Sequence, residues 1–448
     1  MQNINKINEL KISKFKQKES SFDEDFSAVI GYEPIKLEIK RIIDIMNNPQ
    51  KYKDLGVSTP RGLLLDGKPG LGKTLIANCF IKASRRKAFV CRKDRPDGDF
   101  VKEIRRVFEE AKENAPSIVF LDDMDKFANE DENHTNAEEF VTIQSCIDDV
   151  KDFEVFTIST TNDLKNLPDS LLRVGRFDKQ FTLKCPRGED SEKIIAYYLS
   201  QKKFVDDVNI KQAARILVGS SCAELETVIN EAGVYAGYEN KKMIDMSDII
   251  RAAMRVIYDA PEVLSVEQKN FIKETAYHEA GHSVVAEVLE PESVNIVSVK
   301  KYAGDVGGIT SYYQDENYFC TKKYMENRVI SLLAGKAATE LVYGLVDVGT
   351  ISDIRRARTI VTRFVDDYCS YGFDKFEFEH EHSNELRSRR ENLIFSEMER
   401  YYQLAKKLLI QNREFLDKLA NALVEKETLI TEDVQAIKNT CKIIEFNF

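Results

Sequence analysis

A short apolar run that ends in a glycine-rich loop restricts this chain more than any other stretch. Gly62-Leu63-Leu64-Leu65-Asp66 reads as a buried strand. It passes directly into Gly67-Lys68-Pro69-Gly70-Leu71-Gly72-Lys73-Thr74 and then the helical Leu75-Ile76-Ala77-Asn78-Cys79. Strand, loop and helix in that order make a phosphate-binding loop. Its glycines let backbone N–H groups wrap the phosphates, Lys73 reaches the β- and γ-phosphates, and Thr74 offers a hydroxyl to Mg²⁺. From Phe22 to about Pro186, apolar runs alternate with helical patterns, the rhythm of a parallel α/β sheet.

Two further strands in this region end in polar groups. Ser117–Leu121 runs into Asp122-Asp123, where carboxylates can hold Mg²⁺ and polarise an attacking water. Val155–Ser159 leads to Thr160-Thr161-Asn162, and an amide at that strand end can orient water against a γ-phosphate. Arg173 and Arg176 follow in a loop. They suit a finger offered to a neighbouring subunit's nucleotide, or plain surface salt bridges.

Much further on, His278-Glu279-Ala280-Gly281-His282 places two of the chain's five histidines one helical turn apart. The two imidazoles can converge on one zinc ion, with Glu279 beside them as the base. Gly281 costs about 1 kcal/mol relative to alanine in mid-helix, so it requires a reason such as close packing. A catalytic zinc site has three protein ligands. Glu340, Asp347, Asp353, His380 and His382 are all candidates for the third, and residue spacing does not choose among them. His380 and His382 stand in a very acidic, irregular stretch and read as surface residues. Between the histidine pentad and the next helix, the β-branched Val294–Val299, bounded by Gly304 and Gly307-Gly308, reads as a hairpin. It is either structural or an edge to which an extended substrate adds as a strand.

Composition sets the class. The chain has 448 residues, 43% hydrophobic and 31% charged, enough for two or three globular domains with buried cores. A net charge of −10 argues against nucleic acid as a partner. Eight scattered cysteines with no CxxC pair read as reduced core residues. No window of 18 residues is free of charges and no signal-peptide core is evident, so no transmembrane helix is expected. The simplest expectation is a cytoplasmic protein. The lysine-rich residues 1–21 read as a mobile tail, with peripheral membrane association as the alternative.

Together these motifs resemble the FtsH family of AAA+ zinc proteases, in family order from Ser21-Phe22 through Thr440. The resemblance implies an α/β P-loop AAA+ domain with a small helical lid, followed by a mainly α-helical zinc metalloprotease domain. It implies an adenine site near Ile30 and Gly31, Walker A at Gly67–Thr74 with Leu75 adjoining, and Walker B at Asp122-Asp123. Asn162 matches the sensor, and Arg173 and Arg176 match the arginine fingers. Asp353, in Gly349-Thr350-Ile351-Ser352-Asp353-Ile354, matches the third zinc ligand. Glu340 aligns with an acidic position near the metal, as a partner of a zinc histidine or a helix-surface carboxylate. The implied domains are 22–186 (nucleotide-binding), 187–258 (lid), 259–268 (linker, at Asp259-Ala260-Pro261-Glu262) and 269–448 (zinc protease).

The chain departs from the family in three ways. Its Walker B pair is Asp-Asp instead of Asp-Glu, so the carboxylate reaches about one bond length less far, and either slow hydrolysis or a local adjustment is expected. The substrate-gripping loop, Arg92–Val101, is mostly charged, with Phe100 its only aromatic. No counterpart of the family's N-terminal membrane segments is expected in the sequence given. The expected function is an ATP-dependent zinc endopeptidase that unfolds and degrades polypeptides, with Zn²⁺, ATP and Mg²⁺ as cofactors and a homo-hexamer as the assembly. Two alternatives stand beside it: an AAA+ remodelling ATPase with a weak or idle protease, and a zinc peptidase for unfolded chains that binds ATP only for assembly.

Overall fold

The structure, a computed structural model, describes residues 22–57, 59–93, 100–128, 137–173, 175–260, 263–264, 266–300, 307–313, 321–344, 350–368, 370–372 and 384–445. The lysine-rich N-terminal stretch, loop positions 94–99, Pro261, Glu262, Gly304, Asp347, Gly349, His380 and His382 lie outside these residues. The chain divides into two compact units: the first runs to Gln201 and takes in Gly219–Thr227, and the second holds Lys202–Val218 and everything from Val228 onward.

The first unit is built on a five-stranded sheet. Its strands are β1 (Gly62–Asp66), β2 (Lys87–Cys91), β3 (Ser117–Leu121), β4 (Val155–Thr161) and β5 (Lys179–Thr182), in the order β2-β3-β4-β1-β5. All four pairings are parallel. A parallel sheet is covered on both faces, which is why β1, β3 and β4 are almost continuously apolar or small. Alternate residues serve opposite sides. Leu63, Leu65, Ile118, Phe120, Phe156 and Ile158 pack with Ile39, Ile42, Ile76 and Phe80, on the helices Glu33–Asn47 and Lys73–Ser84. Leu64, Val119 and Leu121 pack with Ile104, Phe108 and Ile143, on the helices Phe100–Glu113 and Ala137–Asp149. The carboxyl ends of β1, β3 and β4, neighbours in the sheet, therefore place Asp66, Asp122 and Asn162 side by side.

The stretch expected as a lid is helical in Gly188–Ser200, Ile210–Ile216, Cys222–Tyr238 and Met246–Val256. Leu225, Val228, Ile229 and Ala232 are buried as their spacing predicts. Ala223 differs: it is exposed, and its N–H donates to the Gly70 carbonyl at 3.0 Å.

The second unit from Val266 onward is mainly helical, as expected, with the helix Ile272–Leu289 at its centre. Thirteen of its residues are buried, from Thr275 to Val288, so it carries no polar face and its sequence shows little amphipathic period. Against it pack the helices Lys322–Tyr343, Asn384–Gln411 and Arg413–Lys426. The β-branched stretch forms β6 (Val294–Ser298), paired antiparallel with β7 (Ile309–Tyr312) and, on its other side, with β8 (Thr428–Ile430). The sheet order β7-β6-β8 leaves β7 as an edge. Among the described residues, no helix is long and apolar enough to cross a membrane.

Candidate nucleotide site and metal centre

The loop after β1 turns sharply enough to demand glycine. Gly70 and Gly72 both have left-handed φ, +80° and +87°, which β-carbon-bearing residues rarely adopt. Lys73, almost wholly buried, opens the following helix and folds back over the loop. Its ammonium donates to the Gly67 carbonyl at 2.5 Å, the Lys68 carbonyl at 2.9 Å and Asn162 Oδ1 at 2.9 Å. Burial pulls the Lys73 ammonium down from its ordinary value, against the upward pull of Asp123 and Asp125. Thr74 Oγ1 donates to Asp122 Oδ1 at 3.1 Å, a carboxylate oxygen that also receives Thr160 Oγ1 at 2.8 Å. A cationic donor, a hydroxyl and a buried carboxylate thus converge at one loop, a donor set that fits a magnesium–polyphosphate.

Asp123 sits differently from Asp122. Its backbone is left-handed, φ +53°, and its carboxylate pairs with Lys126 at 2.7 Å. Asp125, which the sequence reading passed over, accepts from both the N–H and the side-chain amide of Asn162. Ile30 and Gly31 precede Tyr32, whose hydroxyl donates to the Lys184 carbonyl at 2.8 Å, and Gly31 lies against the Asp190 side chain. Pro69 and Lys68 are exposed within the loop, Leu71 is buried, and Leu75 is largely exposed on the helix. Arg173 is exposed, whereas Arg176 pairs with Asp148 at 2.8 Å and donates to the Ser170 carbonyl. The one aromatic of the charged loop, Phe100, is a core residue: its ring is buried, 5.0 Å from that of Phe127 in an edge-to-face pair.

In the second unit, His278, His282 and Asp353 come together. The two histidines project from the helix Ile272–Leu289, and Asp353 stands in the first turn of the helix Ile351–Asp366, where a helix N-terminus favours a carboxylate. His278 Nε2 and His282 Nε2 are 3.0 Å apart, and Asp353 Oδ2 is 3.4 and 3.2 Å from them. A tetrahedral zinc with bonds of about 2.0–2.1 Å has ligand–ligand edges of about 3.3 Å, so the three atoms are spaced as three corners of that tetrahedron. The tautomer agrees. His282 Nδ1 lies 2.7 Å from the Ser331 carbonyl, which can only accept, so Nδ1 carries the proton and Nε2 presents its lone pair to the cluster. Burial alone would raise the Asp353 carboxyl, but the adjoining imidazoles hold it well below the usual carboxylate range. These donors fit zinc and leave a fourth corner open. Among the described residues, no other cluster of three such groups occurs.

Glu279, next to His278 on the same helix, also borders β7. Its Oε2 accepts from Thr310 Oγ1 at 2.7 Å, and a β-carbon at Gly308 would come within 2.5 Å of its Cγ. Gly281 and Gly335 explain how the helices can approach. A β-carbon at Gly281 would meet the Ala334 carbonyl oxygen and the Ala338 β-carbon, each at 2.6 Å, so its reason is helix packing. Gly335 and Thr310 were not foreseen from sequence, and Gly308 only as a bound of the hairpin. A mid-helix glycine in Ala334-Gly335-Lys336 was the available signal for Gly335. Glu340 is held by Lys336 at 3.0 Å, Lys406 at 2.6 Å and the Tyr402 hydroxyl, which ties Lys322–Tyr343 to Asn384–Gln411.

Two family models match the chain, one over each region. Residues 63–185 match the model of the ATPase family associated with various cellular activities (AAA), and residues 262–437 match that of peptidase family M41. The chain is 32% identical to the ATP-dependent zinc metalloprotease FtsH of Caldicellulosiruptor bescii, over 92% of this chain and 71% of that protein. It is 30% identical to the protein of the same name from Bacillus subtilis, over 94% and 71%. With the Thermus thermophilus protein it shares 29%, over 92% and 70%. An AAA domain and an M41 peptidase domain in one polypeptide, aligned with such relatives along most of its length, make this chain an ATP-dependent zinc metalloprotease of the FtsH family.

Proposed function

We propose that the chain assembles as a homo-hexamer, unfolds protein substrates with ATP, and cleaves them as an endopeptidase at His278, His282, Asp353 and Glu279. The tetrahedral spacing of the three donor atoms carries this reading. Bound zinc would supply Lewis acidity for a water and the scissile carbonyl. The protein's own contribution is positional. Ser331 fixes the His282 tautomer, and Thr310 holds the Glu279 carboxylate, which accepts the water's proton and returns it to the leaving amine. The strand β7, which carries Thr310 and stands at the edge of its sheet among the described residues, is suited to an extended peptide laid beside the metal centre.

In the nucleotide site, Lys73 and Thr74 bind phosphate and magnesium, Asp122 and Asp123 serve hydrolysis with Asn162, and Arg173 and Arg176 act in trans. The exposure of Arg173 supports a role at a neighbouring subunit, whereas Arg176 must first leave Asp148. The burial of Phe100, the only aromatic of the charged loop, favours a second reading, an AAA+ remodelling ATPase with a weak protease. One assay separates the two. Casein and a folded substrate are incubated with ATP, with a non-hydrolysable analogue, or with a chelator. ATP-dependent, chelator-sensitive cleavage of both is expected. ATP turnover without cleavage of either would instead establish the remodelling ATPase.

A further inference from the structure

Asn162 is gripped from two sides by groups of opposite hydrogen-bonding character. Asp125 Oδ1 accepts from the Asn162 backbone N–H at 3.2 Å, and Asp125 Oδ2 accepts from its Nδ2 at 3.3 Å. On the far side, Asn162 Oδ1 receives the Lys73 ammonium at 2.9 Å. A carboxylate is acceptor-only and an ammonium is donor-only, so the amide has one orientation compatible with both. The grip is built into the fold. The short 3₁₀ turn Met124–Lys126 after β3 is anchored by fully buried Met124, and it presents Asp125 to the end of β4. Asp123, two residues earlier, has its carboxylate on Lys126 instead.

We propose that Asp125 is a positioning residue for ATP hydrolysis, locking the Asn162 amide so that its carbonyl oxygen, and not its NH₂, faces the phosphate pocket. The consequence is chemical. An amide fixed in this sense accepts a hydrogen bond from an attacking water and does not donate to a phosphate oxygen. Asp125 thereby supplies through Asn162 part of the water orientation that the shortened Asp123 gives less well. This rests on the reading of Asn162 as the amide that orients water.

The test is a double-mutant cycle on the assembled, full-length protein, measuring kcat and KM for ATP and the affinity for a fluorescent nucleotide. Asn162→Ala is expected to lower kcat about a hundredfold. Asp125→Asn, which offers the amide a donor as readily as an acceptor, is expected to lower kcat about tenfold with nucleotide affinity unchanged. In the Asn162→Ala background, Asp125→Asn is expected to have no further effect, because it acts through the absent amide. Equal losses from Asp125→Asn in both backgrounds, or a loss confined to KM, would overturn the proposal while leaving Asn162 its role. Unchanged kcat in Asn162→Ala would overturn the underlying reading as well.

Discussion

Gly335 leaves room for His282. A β-carbon there would lie 2.5 Å from His282 Nε2 and 2.6 Å from His278 Nε2, inside the space that the metal-facing nitrogens occupy. Gly335→Ala is therefore expected to abolish zinc binding and peptide cleavage while ATP turnover persists. In mid-helix, alanine is favoured over glycine by about 1 kcal/mol, so helix propensity alone would raise stability. Zinc content by atomic absorption, beside thermal unfolding, checks this. A variant that kept a full complement of zinc would show that the rings move aside.

Glu279 is the base of the proposed chemistry. Glu279→Gln should lower peptide cleavage by about 10²–10⁴-fold, the range for loss of one general base, with zinc content and ATP turnover intact. Thr310→Val removes only the 2.7 Å hydrogen bond that orients the carboxylate. It should cost about tenfold in kcat/KM, the equivalent of one modest hydrogen bond. Both are read from cleavage of an unfolded substrate, where unfolding does not limit the rate.

The parts visible in sequence were those whose chemistry is local. The phosphate loop, the histidine pentad and the acidic strand ends each show themselves within a few residues, and the apolar strands announced a sheet with both faces covered. The third zinc ligand was not of this kind. Asp353 lies 71 positions beyond His282, on another helix, and residue spacing left it level with Asp347, Glu340 and two histidines. Only the family resemblance picked it out, and the structure brings it to the imidazoles. Gly335, Thr310 and Asp125 were invisible because their importance arises from what faces them across a helix crossing or a sheet. Phe100 failed in the opposite sense: an aromatic in a charged loop suggested a grip on substrate, yet it closes the core beneath the helix it begins.

Glu340 tests a different boundary. Hydrogen bonds from Lys406, Tyr402 and Lys336 hold its carboxyl down to about 2. A depressed folded-state pKa stabilises the fold above the unfolded value of about 4.3, and that contribution is lost as pH falls from there towards about 2. Its side chain is 32% exposed, so screening reduces the effect to about 1 kcal/mol. Urea unfolding should find Glu340→Gln less stable than the parent at pH 6 and closer to it at pH 3. Zinc affinity should be unchanged, since the carboxylate is engaged by the Asn384–Gln411 helix. A large loss of zinc affinity would instead assign Glu340 to the metal centre.

Phe100 decides between gripping and packing. Were its ring to pull on substrate, Phe100→Ala would abolish degradation of folded proteins and leave stability unaltered. The ring is instead 9% exposed, stacked edge-to-face on Phe127 and grouped with Ile104, Phe108 and Met124. Truncating a buried phenylalanine leaves a cavity and costs about 3–5 kcal/mol. Phe100→Ala should therefore lower the unfolding temperature of the nucleotide-binding unit and reduce ATP turnover together with degradation. Phe100→Leu, which keeps most of the apolar volume but no aromatic ring, should retain both activities. If Phe100→Leu remained fully folded and hydrolysed ATP normally yet no longer degraded folded protein, the ring would be a substrate contact despite its burial.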